Sequence, residues 1–119
     1  MKYNLFIGLS GGFGGVRYYD TLEFSSEEEA LDYAYQAAIE EYEGYGGLYG
    51  LETYDSIMNQ YCEDNNIENI LQLSESDIED ILDIYNNEIE SWICYEVKNV
   101  TNNFKLILYY RRKKKWWIL

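Results

Sequence analysis

Residues 2–24 read KYNLFIGLSGGFGGVRYYDTLEF, and this stretch decides the fold. Tyr3, Leu5, Ile7 and Leu9 alternate with Lys2, Asn4, Phe6 and Gly8, the two-residue period of a strand with one apolar face. Ser10-Gly11-Gly12-Phe13-Gly14-Gly15 breaks that period. β-Favouring residues then resume from Val16 to Phe24, with Val16, Tyr18, Leu22 and Phe24 in phase. Strand, glycine loop and strand predict an N-terminal hairpin. At the other end, Ile93 to Val100 reads as a strand, Thr101-Asn102-Asn103 as a turn and Phe104 to Tyr110 as a second strand.

Between the hairpins the period changes from two to 3.6. Ser25 or Ser26 followed by Glu28 or Glu29 is a capping box. Behind it Leu31, Ala34, Tyr35, Ala38, Tyr42 and Tyr45 form a helical stripe, stopped by Gly44, Gly46 and Gly47. A second helix is predicted from about Glu52 to Cys62, burying Tyr54, Ile57, Met58 and Tyr61 and ending at Asp64-Asn65-Asn66. A third starts from a capping box at Ser76 and Glu79, with Ile78, Ile81, Leu82, Tyr85, Ile89 and Trp92 at helical spacing. The predicted class is α+β: an antiparallel sheet from N- and C-terminal β-hairpins, with about three helices packed on one face, in the order ββαααββ. Residues 1–110 form a single domain in this reading, and 111–119 a basic-aromatic tail or edge-strand extension.

Charge is distributed unevenly. All 22 acidic residues lie between Asp20 and Glu96, and no Lys or Arg occurs from Tyr18 to Val97, giving a net charge of −13. Helices with ordinary salt-bridged faces mix both signs. The expected helical side is therefore uniformly negative, with the few cations on strands and in the tail. Such a surface repels nucleic acid, so direct nucleic-acid binding through it is not expected. It suits a basic protein partner instead.

Composition also removes whole classes of chemistry. With no His, Ser-His-Asp and Cys-His nucleophile pairs and His-ligated metal sites are excluded. The two cysteines, Cys62 and Cys94, are too few for a disulfide scaffold and too far apart for a C-x-x-C motif. No leader-like segment opens the sequence, and no apolar run reaches the roughly 18 residues a membrane span needs. A cytoplasmic, non-enzymatic protein without a cofactor is the expectation.

Three segments are candidate sites. Carboxylates on the first and third helices, Glu28, Asp32, Glu40, Glu43, Glu79, Asp80, Asp83 and Glu90, are spaced to stand in for phosphates, and Tyr45 and Tyr49 add contact area. Gly11, Gly12, Gly14, Gly15 and Arg17 form a possible ligand loop, although a phosphate loop would lead into a helix and this one leads into a strand. Asp64, Asn66, Glu68 and Glu75 occupy positions 1, 3, 5 and 12 of a calcium-loop pattern, with Asn69 where glycine is expected. No other metal site is suggested. The tail from Tyr109 to Leu119 is the one basic-aromatic segment, and it reads as an edge strand whose charges discourage pairing, as a clasp on an acidic helix face of the same molecule or of a second copy (a homo-oligomer), or as a contact for an anionic membrane or nucleic acid.

Taken with Gly8-Leu9-Ser10-Gly11-Gly12-Phe13-Gly14-Gly15, the Glu41-Tyr42-Glu43-Gly44-Tyr45 stretch and Glu90-Ser91-Trp92, the chain resembles small acidic proteins of bacteriophages and other mobile elements. In size and charge it is similar to phage anti-defence proteins, including anti-CRISPRs. The resemblance implies an inhibitor in the host cytoplasm that blocks a basic, nucleic-acid-binding surface of a host protein. The alternatives are a small-ligand binder, for a nucleotide-like molecule or Ca²⁺, and a homo-oligomeric assembly protein.

Overall fold

A computed structural model describes residues 1–101. It is α+β: three antiparallel strands, β1 (Lys2–Leu9), β2 (Gly15–Glu23) and β3 (Ile93–Asn99), and three α-helices, α1 (Glu27–Tyr45), α2 (Tyr54–Asp64) and α3 (Glu75–Trp92). Single 3-10 turns at Gly11–Phe13 and Ile70–Gln72 punctuate the loops. The first strand is central. The sheet order is β2-β1-β3, so β1 forms the hairpin with β2 and also receives β3. The partner strand expected at Phe104–Tyr110 and the tail at 111–119 lie outside the described residues.

The N-terminal hairpin forms as its alternation predicts, with one correction to its phase. Leu5 faces Asp20 and Phe6 faces Tyr18, so Tyr19 is an extra residue, a β-bulge. One extra residue exchanges the faces. Leu22 sits opposite Tyr3 on the buried face, whereas Val16 and Tyr18 sit opposite Gly8 and Phe6 on the other. Tyr18 is accordingly exposed, edge-on to Phe6 at 6.1 Å between ring centroids.

Helix α1 lies across the face that carries Tyr3, Leu5 and Ile7, all buried, and it meets them with Ala30, Ala34, Ala37 and Ala38. Small side chains let the helix approach the sheet closely. The expected stripe is rotated: Leu31 and Tyr35 are half-buried at its edge, and Tyr45 is exposed beyond it. Ser26 is the cap, its side chain accepting from the backbone N–H of Glu29 at 3.1 Å. A second cluster, Leu9, Tyr42, Leu51 and Ile89, joins the ends of β1 and α1 to α3. α2 packs against α3. It begins two residues later than predicted, because Thr53 and Ser56 form a reciprocal capping box. Ile57 and Cys62 are its buried residues, with Tyr54, Met58 and Tyr61 half-buried.

The start of α3 is the second correction. Ser74, and not Ser76, is its cap: Ser74 Oγ accepts from the Asp77 N–H at 3.1 Å, and Asp77 Oδ2 accepts from the Ser74 N–H at 2.9 Å. Both serines satisfy a serine-x-x-acid pattern, and Ser74 prevails because Asp77 is also fixed from α2, by the Tyr61 hydroxyl at 2.8 Å. These donors, the Ser74 N–H foremost, hold the Asp77 carboxyl below its ordinary value. Ser74→Ala is expected to cost about 1 kcal/mol in urea unfolding. Ser76→Ala should stay within about 0.5 kcal/mol of the parent. Equal costs would contradict the assignment of the cap.

Candidate functional site

The helices carry every acidic partner-binding candidate and no Lys or Arg. Lys2, Arg17 and Lys98, the basic side chains among the described residues, all lie on strands. Glu28, Asp32, Glu40 and Glu43 are exposed on α1, the first and last separated along its axis by about 22 Å at 1.5 Å per residue. On α3, Glu79, Asp80, Asp83 and Glu90 are exposed too. Two of these are committed locally. Glu90 accepts the Tyr35 hydroxyl of α1 at 3.1 Å, and Asp80 lies 3.3 Å from the Tyr61 hydroxyl of α2. Among the described residues Glu40, Glu43, Glu79 and Asp83 make no side-chain hydrogen bond or ion pair.

The calcium-loop pattern does not form a cage. Asp64 closes α2 and accepts from Gln60 at 2.8 Å; Asn66 takes a left-handed backbone (φ 55°); Glu75 is already the first residue of α3. The intervening chain folds as the 3-10 turn Ile70–Gln72, and Asn69 caps that turn where a loop glycine was expected. Among the described residues no group of three or more acidic or Cys side chains gathers to hold a metal ion. Cys62 and Cys94 are both free thiols.

The glycine loop takes a different role from the one its composition suggests. Gly11, Gly14 and Gly15 have positive φ (62°, 91° and 85°), so the backbone reverses over a single 3-10 turn that a side chain at those positions would strain. Arg17 is engaged from α1, although its side chain stays largely exposed. Its guanidinium is held by Glu41 of α1, a contact that also raises the Arg17 pKa. The other Glu41 oxygen, Oε2, is buried without a hydrogen-bond partner.

What the loop does provide is a wall of a cup. Phe13, carried on the turn, meets Tyr45 at 5.1 Å, Tyr49 at 5.8 Å and Trp92 at 6.1 Å between ring centroids. Tyr49 and Trp92 stand almost perpendicular to Phe13, at 85° and 87°. With Gly12 these rings enclose an open cavity of about 400 Å³. Three features build it. The hairpin turn delivers Phe13; the glycines after Tyr45 end α1 and lead Tyr49 round; and α3 ends at Trp92, whose carbonyl accepts the Ser10 N–H at 2.8 Å, locking the helix end to the loop. The Trp92 indole N–H donates to Glu88 at 3.1 Å, so a carboxylate backs that wall. Tyr49 is 76% exposed and has φ 53°, a left-handed conformation that a ring-bearing residue adopts only at a cost.

The structure thus brings Gly12, Tyr45 and Tyr49, candidates from two separate segments, into one site. It adds Phe13 and Trp92, which the sequence reading had placed in a loop and a core stripe. Comparison of the chain with protein-family models, curated proteins and solved structures finds no match. No helix among the described residues is long and apolar enough to cross a membrane.

Proposed function

We propose that this chain is a non-enzymatic protein-interaction module whose acidic helical layer docks on a basic surface of another protein. The surface it suits is one that otherwise receives nucleic-acid phosphates, and the action is inhibition by occupancy. That is the mode implied by the resemblance to anti-defence proteins of mobile elements. One observation carries the reading: three helices present exposed carboxylates with no Lys or Arg among them. Solubility alone is met by mixed charge. Removal of one sign from a whole layer instead steers encounter with a partner of the opposite sign and rejects others.

The test is capture of host proteins on the tagged chain, with nuclease-treated and high-salt arms, beside the variant Glu40→Lys, Glu43→Lys, Glu79→Lys and Asp83→Lys. Among the described residues these four side chains make no hydrogen bond or ion pair, so the variant is expected to keep the fold. A nucleic-acid-handling protein is expected to survive nuclease, to be lost in salt, and to be lost in the variant at low salt. Added DNA should compete with the chain for that protein. Capture that the charge reversal leaves intact would refute the reading.

A further inference from the structure

The aromatic cup has a chemistry of its own, and it goes past general acidity. Four rings line it, and two of them meet Phe13 nearly at right angles, so a single guest can lie against more than one π face. The negative faces of aromatic rings attract a cation within about 6 Å of their centroids. The surroundings agree in sign. Glu88 is bonded to the Trp92 indole. Glu41 lies one helical turn before Tyr45, with one oxygen on Arg17 and the other unpartnered. Among the described residues no Lys or Arg lines the cup, and Arg17 is paired with that same Glu41. A phosphate would meet carboxylates here and, among the described lining residues, no cation. A neutral apolar guest would leave the field of those carboxylates unused.

We propose that the cup receives an arginine side chain from the basic partner, its guanidinium plane stacked among Phe13, Tyr45, Tyr49 and Trp92. This rests on the interaction reading above and deepens it, by naming the point where a single side chain of the partner is gripped. Arginine fits better than lysine: its guanidinium is planar, weakly hydrated and able to stack, and its stem is long enough to enter from a flat surface. The strained backbone at Tyr49 is consistent with that role, since it holds a largely exposed ring over the opening.

The experiment uses the full chain and two peptides, acetyl-Gly-Arg-Gly-amide and the same peptide with citrulline, which keeps the shape and loses the charge. The reporter is the Trp92 indole N–H resonance, assigned by its absence from Trp92→Phe. The arginine peptide is expected to shift it saturably and the citrulline peptide to bind at least fivefold more weakly. Tyr49→Gly removes a ring and relieves the positive φ, so it folds, and it should weaken the arginine peptide about fivefold. Glu63→Gln, nine residues beyond Tyr54 along α2 and outside both proposed surfaces, should leave that binding unchanged. Four outcomes would overturn the proposal: no shift, an equal shift with citrulline, a response to adenosine monophosphate but not to arginine, or a Trp92 resonance that moves only when Arg111 and Arg112 are changed to glutamine, which would make the chain's own tail the occupant. Because the peptides contain no docking surface, a silent cup leaves partner capture standing, and lost capture with a responsive cup refutes only the docking reading.

Discussion

Tyr42→Ala is expected to lower the unfolding free energy by about 3–5 kcal/mol, a large share of the roughly 5–15 kcal/mol that holds a domain of this size. Tyr42 is fully buried. Its ring joins Leu9 of β1, Leu51 of the loop before α2 and Ile89 of α3, and stands edge-on to Tyr85 at 6.3 Å. Its hydroxyl donates to the Glu52 carbonyl at 2.6 Å. Tyr42→Phe keeps the ring and strands the carbonyl, for about 1–2 kcal/mol. Urea unfolding at unchanged slope distinguishes the two. A loss below about 1 kcal/mol for the alanine variant would mean that α3 is not held to the sheet through this residue.

The same hydroxyl predicts an alkaline effect. Burial, reinforced by Glu88, Tyr85 and Glu52, pushes the Tyr42 pKa up to about 12. The unfolded chain releases that proton near pH 10 and the folded chain retains it, so between about pH 10 and 12 the native state binds more protons and stability falls as pH rises. Tyr42→Phe should flatten that part of the slope. Tyr61, raised to about 12 first by its bond to Asp77, keeps part of the remainder, with Tyr35 and Tyr85, which burial also raises.

Gly8→Val is expected to be comparably severe. A Cβ at position 8 would stand 2.0 Å from the Gly15 carbonyl oxygen, 2.7 Å from its carbon and 3.2 Å from Val16 Cα. All three are backbone atoms of the loop end and β2, so the strand itself has to move. We expect a loss of about 3 kcal/mol, at the upper end for overpacking, with alanine already costing part of it. Gly44 provides the opposite control. It lies in α1 with open space around its Cβ position, and Gly44→Ala should gain about 0.5–1 kcal/mol. Thermal melts of the pair should move in opposite directions. A tolerated valine at position 8 would mean that β1 and β2 do not approach as closely as described.

Much of the architecture is legible because it is local. The alternation of Tyr3, Leu5, Ile7 and Leu9, the Ser26 cap and the 3.6 period of Ile81, Tyr85 and Ile89 each state their element within one or two turns of chain. The misreadings come where two local rules compete. Ser74 and Ser76 both offer a cap, and only the long-range Tyr61–Asp77 bond favours the first. Tyr19 is a bulge, and an extra residue in a strand leaves no mark on composition, so the phase carried through it was wrong beyond it. The α1 stripe was weighted toward large residues, whereas close packing on the sheet selects the alanines. The site is harder still. Phe13, Tyr45, Tyr49 and Trp92 lie on three stretches of chain that meet only because β3 returns to β1 and draws the end of α3 to the hairpin turn. The Tyr/Gly composition of residues 42–50 pointed to one wall of the cup. A phenylalanine isolated among glycines, and a tryptophan at the last position of a helix, were the available hints to the others.

The central position of β1 has a further consequence, for how the chain is made. β1, β2 and α1 are complete by residue 45, but the strand that covers the second edge of β1 is encoded only at residues 93–99. At roughly 5–20 residues per second on the ribosome, that edge waits on the order of 4 to 14 s after β2 has been synthesised. An uncovered edge is a template for pairing with a neighbouring nascent chain. The glutamates that crowd α1 and α3 would then serve during synthesis too, keeping half-made copies on one polysome apart by mutual repulsion until β3 arrives to close the sheet.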